Sequence, residues 1–380
     1  MYSKIKPWIC LYSINNRLRD MIRLLFGAIL SVFTICLLSC SGDVVKKPEK
    51  FLKQEDALPW LPINSTICDI DGKENVLFST NGGYAICAFD IETKKIDTIV
   101  ARVPAGIGAF CYNSDNGTIL VQLDNRSLNL WNSKSCKEML CPSVKYHGEF
   151  IIWTCGAYHP FFSCGDILYT GIIPSLDSEV DYADFRAKSD LMAAWDISNP
   201  DSVRYVKIFG KRPSDQPKDM FIKDCYQTAF NVEDSIIVAG TELSQNVVVM
   251  SMNGEKLKEK ELTSKFYVKP QKRDFSKNHS MTEIIEYCEE NMLFGGLYYD
   301  RYRKLYYRVL NLATQKDGNS FTKKKSDWVL IVADSSLNKK YEILFDGDKH
   351  RGVILIGKQG VYIRTADNPK NKTMDLFVFD

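Results

Sequence analysis

Asn116-Gly117-Thr118-Ile119-Leu120-Val121-Gln122-Leu123 combines the two signals from which the fold is read. Asn-Gly tolerates the positive φ of a tight hairpin turn. The residues after it alternate, with Ile119, Val121 and Leu123 on one face, as a half-buried strand requires. Val361 and Ile363 alternate in the same way with Tyr362 and Arg364, and Asn81-Gly82-Gly83, Asn253-Gly254 and Asp346-Gly347 mark further turns. The chain from about Ile63 onward therefore reads as a succession of β-hairpins.

Along that stretch one pattern recurs: an apolar strand ends in a residue followed by Asp or Asn, then a polar turn and another strand. The instances are Phe89-Asp90, Trp131-Asn132, Trp195-Asp196, Met252-Asn253, Ala333-Asp334 and Phe379-Asp380. A short carboxylate or amide there can accept hydrogen bonds from the backbone two residues on and so start the turn. Six sheet units, none able to bury both faces alone, predict an all-β fold, a six-bladed β-propeller of antiparallel four-stranded blades over residues 51–380. Seven blades, a β-sandwich pair or a β-helix are the alternatives. Phe51 to Leu61 is expected to complete the blade that contains Leu376 to Asp380 and close the ring. Pro174 to Asp190 and Ser264 to Asn278 read as loop insertions, and Ser280 with Glu283 has the capping-box spacing of a short helix before Ile284, Ile285 and Tyr287.

The N-terminus carries a different message. Met21-Ile22-Arg23 precedes an apolar run, Leu24 to Leu38, which is shorter than the roughly 20 residues that a membrane span needs. Leu37-Leu38-Ser39-Cys40 matches the lipobox of bacterial lipoproteins, which makes residues 1–39 a lipoprotein signal peptide, with 21–39 as its working part, and Cys40 the lipid attachment site. Met21 is an alternative start. The polar, lysine-rich residues beyond the anchor are expected to be a flexible tether, 40–50, outside the core. The expected address is the cell envelope, lipid-anchored to a membrane, the outer membrane favoured over the inner.

Residues 1–39 hold five basic side chains and one acidic, leaving 44 basic and 46 acidic, a net −2 that argues against a nucleic-acid partner. Twelve cysteines less Cys10, Cys36 and Cys40 leave nine, an odd number that excludes a full disulfide framework. Buried free thiols are the favoured reading, with Cys136–Cys141 or Cys155–Cys164 as candidate local bridges. His147, Cys155, His159 and Cys164 are zinc-type ligands, yet their spacing fits no finger or metalloprotease motif, so no metal and no cofactor is expected. A Gly-x-Ser-x-Gly elbow, a His-Glu-x-x-His helix and phosphate-cradling glycine loops are all missing from the sequence.

The richest local chemistry is Tyr299-Asp300-Arg301-Tyr302-Arg303-Lys304-Leu305-Tyr306-Tyr307-Arg308. With the lipobox and the hairpin units, this segment resembles the uncharacterised bacterial lipoproteins that carry TolB-like six-bladed β-propeller domains. That resemblance implies a fold and an envelope address and no established reaction. Tyr299, Tyr302, Arg303, Tyr306 and Arg308 are the ligand-binding candidates, since tyrosine rings and guanidinium forks suit glycan, carboxylate or protein contacts. The favoured reading of the same residues is nonetheless structural, cross-strand packing with Asp300 paired to Arg303 or Arg308. The expected function is an anchored propeller that binds an envelope protein or a glycan, with no catalytic residue assigned. The alternative is a propeller enzyme that cleaves glycans with scattered carboxylates.

Overall fold

A computed structural model of the chain describes residues 44–59, 65–80, 85–100, 107–122, 127–131, 136–154, 161–174, 190–217, 226–271, 281–314, 326–366 and 373–380. The lipobox, Cys40, Cys155 and His159 lie outside them. The described chain enters through β1 (Val45–Lys46), a 3-10 turn (Pro48–Lys50) and β2 (Leu52–Pro59). Sheet I follows as β3 (Thr66–Ile70), β4 (Lys73–Ser79), β5 (Ile86–Asp90) and β6 (Ile96–Val100). Sheet II is β7 (Ala109–Asn113), β8 (Thr118–Gln122), β9 (Ser127–Trp131) and β10 (Cys136–Leu140). Sheet III holds β11 (Val144–Tyr146), β12 (Glu149–Thr154), β13 (Phe161–Cys164), β14 (Ile167–Pro174), β15 (Met192–Asp196) and β16 (Arg204–Phe209). Sheet IV is β17 (Tyr226–Asn231), β18 (Ile236–Thr241), β19 (Asn246–Ser251) and β20 (Lys256–Glu261). After α1 (Met281–Glu290), sheet V runs β21 (Leu293–Asp300), β22 (Leu305–Asn311), β23 (Trp328–Ala333) and β24 (Lys339–Phe345). Apart from β1, which joins the edge of sheet V, these five sheets are each built from one run of chain. Sheet VI is composite: β25 (His350–Ile356), β26 (Val361–Thr365) and β27 (Thr373–Phe377) are completed by β2, which pairs antiparallel with β27.

Strand β8 explains why the sheets must stack. All five of its residues are buried, so the expected half-buried strand is corrected to one covered on both faces. The period of two still operates: Ile119 and Val121 pack with Leu77, Ile86 and Ala88 of sheet I, whereas Leu120 packs with Leu168, Ala193 and Trp195 of sheet III. The same sharing continues round the chain. Sheets III and IV meet through Tyr169, Met192 and Val248, IV and V through Val238, Val249 and Tyr306, and V and VI through Leu330, Ile343 and Ile363. The last core returns to the first sheet, joining Leu58, Leu355 and Tyr362 to Val76 and Phe89. Strands of neighbouring sheets approach one another, β7 with β13, β17 with β21, and β25 with both β21 and β3. This is an all-β propeller arrangement, closed where β2 joins β27.

The recurrent Asp or Asn sits between the third and fourth strands of sheets I, IV and V, as Asp90, Asn253 and Asp334, and between the last two of sheet III, as Asp196. Asp90 Oδ1 accepts the backbone N–H groups of Glu92 and Thr93, at 2.9 and 2.8 Å. Asp196 Oδ1 accepts that of Ser198, and Asp334 Oδ1 those of Ser336 and Asn338. Hydrogen bonds from Ser198 and the guanidinium of Arg204 hold the Asp196 carboxyl down at about 2, Asp90 is lowered chiefly by the backbone N–H of Thr93, and Asp334, against burial, by the Asn338 side chain and then the backbone groups that it accepts. A carboxyl whose folded pKa is depressed stabilises the fold above its unfolded value, and that stability is lost as pH falls through the folded one. Stability is therefore expected to drop between about pH 4 and pH 2, and Asp196→Asn should flatten the acid limb of a denaturation curve measured against pH.

Two expectations change and a third holds. Residues 45–50 are not a free tether: Val45 and Lys46 pair in parallel with Glu342 and Ile343 of β24, and Phe51, 3% exposed, stacks on Tyr341 at 5.5 Å. The apolar ring of Phe51 docks the segment that polar composition marked as solvated. The two candidate disulfides do not form, since neither Cys141 nor Cys164 is in a disulfide, and Cys68, Cys87, Cys111 and Cys288 are not either. Burial pushes the Cys68 and Cys111 thiols up to about 12, as for small core hydrophobes. The expected short helix is present as α1, its Tyr287 buried with Leu243 and Leu293.

Candidate functional site

The tyrosine and arginine segment is mostly inside the protein. Tyr306, Tyr307, Arg308 and Asp300 are all 0% exposed. The Arg308 side chain leaves β22 and enters sheet IV, where Nη1 donates to the carbonyls of Gln245 and Leu262 at 3.0 and 2.8 Å. Its Nη2 donates to those of Thr241 and Ser244 at 3.1 and 2.8 Å. Its Cζ lies 3.7 Å from the Phe294 ring centroid, a cation–π contact. Burial lowers its pKa to about 9, opposed by Asp215 and Tyr267, so the guanidinium is charged at neutral pH.

Asp300 ends β21 and accepts from the N–H groups of Tyr302 and Arg303, from Arg303 Nη1 at 2.9 Å and from the Tyr307 hydroxyl at 3.0 Å. Arg303 also donates to the carbonyls of Gly357 and Lys358 in the turn of sheet VI. The Tyr306 ring packs on Tyr299, centroids 4.8 Å apart, and its hydroxyl accepts from Asn231 of sheet IV. Of the five candidates, Tyr306 and Arg308 are thus inter-sheet connections closed to a ligand, Tyr299 and Arg303 are partly covered, and Tyr302 alone is exposed, at 37%. Of the zinc-type ligands, His147 is exposed and Cys164 half-buried, and no cluster able to hold a metal occurs among the described residues.

The connections point to another surface. In an antiparallel meander successive turns alternate between the two ends of the sheet. At one end lie short links, among them 71–72, 165–166, 232–235, 301–304 and 334–338. At the other lie 141–160 with its added β11–β12 hairpin, then 175–191, 210–225, 262–292 with α1, and 312–327. Polar contacts brace this loop-bearing end. Lys211 pairs with Asp190 at 2.6 Å, and the Tyr146 hydroxyl accepts the Asp190 N–H. Asp215 accepts from Gln245 N–H and Ser244, and Glu259 accepts from Ser214, Asn246 and Lys256. Against burial, which raises it, those donors hold the Glu259 carboxyl at about 2. Between sheets IV and V, Glu342 accepts from Ser264 Oγ at 2.9 Å and Lys265 N–H at 3.0 Å.

Apolar groups protrude from the braced end. Phe150 is 47% exposed on β12, with Lys145 Nζ 4.7 Å from its ring centroid, and Val268 is 64% exposed. An exposed aromatic beside a lysine, on a loop-bearing face, suits contact with another molecule. Sequence reasoning did not single out Phe150, which directly precedes the apolar run Ile151-Ile152-Trp153. Its only signal was the His147-Gly148 turn just before it.

No curated protein matches the chain. Among solved structures, a member of the DUF4221 family from Bacteroides vulgatus is 19% identical, with a TM-score of 0.65 over 86% of this chain and 95% of that one, which shows the fold alone. A luciferin-regenerating enzyme is 9% identical over 86% of this chain and 95% of that chain with a TM-score of 0.45, a likeness that carries no argument. Residues 195–343, which span the end of sheet III, all of sheet IV and most of sheet V, match the family described as "Domain of unknown function (DUF4221)", and it is this uncharacterised family that the chain is similar to.

Proposed function

We propose that the protein is an envelope lipoprotein, anchored through Cys40, whose TolB-like, six-bladed propeller binds a protein or glycan partner with its loop-bearing end. The difference between the two ends of the sheets carries the reading. Turns on one side are short and self-satisfied by Asx hydrogen bonds, whereas the long connections on the other side present Phe150, Lys145 and Val268. Supporting six blades, each of six sheets shares an apolar core with the next and the sixth with the first. The lipobox supports the address.

The test is capture of partners by the full-length protein from envelope extract and from a glycan panel. Phe150→Ala with Val268→Ser should reduce capture at least tenfold with an unchanged melting temperature. Tyr302→Ala with Val232→Ser, exposed at the opposite end, should leave it intact. Loss of capture in the second pair and not the first would transfer the surface to the short-turn end. Absence of labelling of Cys40 by a fatty-acid analogue would remove the anchor.

A further inference from the structure

A cavity of about 260 Å³ lies in the seam between sheets V and VI, where the N-terminal segment crosses it. Its apolar side chains are Phe377 of β27 and Leu52 of β2, and Leu344 of β24, which packs toward sheet IV, lies at its edge. One polar group is set among them. His350 stands at the start of β25, with Nε2 3.0 Å from Asp375 Oδ2 and its backbone carbonyl accepting from Trp328 Nε1 at 3.0 Å, so the ring is fixed before any ligand arrives. The rim carries charge of both signs. Lys47 and Glu49 come from the 3-10 turn and the residue before it, and Lys349 and Asp346 from the turn that joins β24 to β25.

The rim charges are largely unspent. Neither the Lys47 nor the Lys349 ammonium makes a hydrogen bond or ion pair among the described residues, and the same holds for the Glu49 carboxylate. Among those residues the Asp346 carboxylate accepts only the Asp348 N–H, at 2.9 Å. Cations and anions that face one small space without pairing to each other are complementary to a ligand with both charges. An anion alone would meet two carboxylates, and a cation alone two ammonium groups. The volume is below that of drug-sized pockets, and the apolar floor offers burial to a short hydrocarbon group.

We propose that this cavity binds a free α-amino acid with an apolar side chain. The side chain lies on Leu52 and Phe377, the carboxylate faces Lys47 and Lys349, and the ammonium faces Glu49 and Asp346. Because the N-terminal segment supplies two of the four charges, occupancy tightens that segment onto sheets V and VI. The site shares none of its lining with Phe150, Lys145 or Val268, so it stands or falls independently of partner capture.

Calorimetric titration of the full-length protein in detergent with L-leucine tests it, alongside isovalerate, isopentylamine and inorganic phosphate. Leucine should bind saturably and at least tenfold more tightly than any of the three. Lys349→Ala and Glu49→Gln, both exposed positions, should each weaken leucine at least fivefold with an unchanged melting temperature, and leucine should slow amide exchange over residues 45–52. Equal binding of isovalerate or phosphate would make it an anion site and overturn the proposal. So would no saturable binding of leucine, or leucine binding that both variants leave unaltered.

Discussion

Arg308→Ala is expected to cost about 3–5 kcal/mol of folding stability, measured by denaturant unfolding. The guanidinium crosses from sheet V into sheet IV to donate to the carbonyls of Thr241, Ser244 and Leu262. Truncation leaves those oxygens buried without their charged partner and opens a void beside Phe294 and Gly240, where an added Cβ would lie 3.0 Å from Nη2. Lysine cannot replace it, because one ammonium has three donors and no planar fork to span four carbonyls. Arg308→Lys should therefore recover less than half of the loss. If the segment were instead a contact surface, Arg308→Ala would weaken partner capture and leave unfolding unchanged.

Arg308 marks where the sequence stops being legible. The hairpins and their turns are local, and Asp90, Asp196 and Asp334 start turns in the structure for the reason that their side chains dictate. Closure of the sixth sheet by the segment from Phe51 was also legible, because a strand-forming stretch at one end of the chain matched an incomplete unit at the other. Packing of the tyrosine and arginine segment, with Asp300 paired to Arg303, was the favoured of two readings and holds, but the entry of Arg308 into sheet IV was not legible. Tyrosine and arginine enrich both binding surfaces and polar seams, and the choice rests on carbonyls 46 to 67 residues earlier in the chain. The same limit hid the V–VI cavity. His350 and Asp375 are 25 residues apart, and Lys47 reaches the rim only because Phe51 docks on Tyr341. For β8, alternation was read correctly and burial was not, since one strand's pattern cannot reveal that both of its faces are covered.

Closure of the sheets into a ring, with sheet VI packed on sheet I, is the central claim. Phe89 of β5 and Leu355 of β25 lie in the apolar core that makes this closure, 4% and 7% exposed. Phe89→Ala should cost about 3–5 kcal/mol and Leu355→Ala about 2–5 kcal/mol, through lost burial and the voids left behind. In an open stack the two residues would occupy opposite outer sheets, far apart, and their effects would add. In a closed ring they share one core, so a double-mutant cycle of unfolding free energies should return a coupling of about 0.5 kcal/mol or more. Additivity within about 0.3 kcal/mol, with each single variant costing under about 1 kcal/mol as at an exposed end, would contradict the closed propeller.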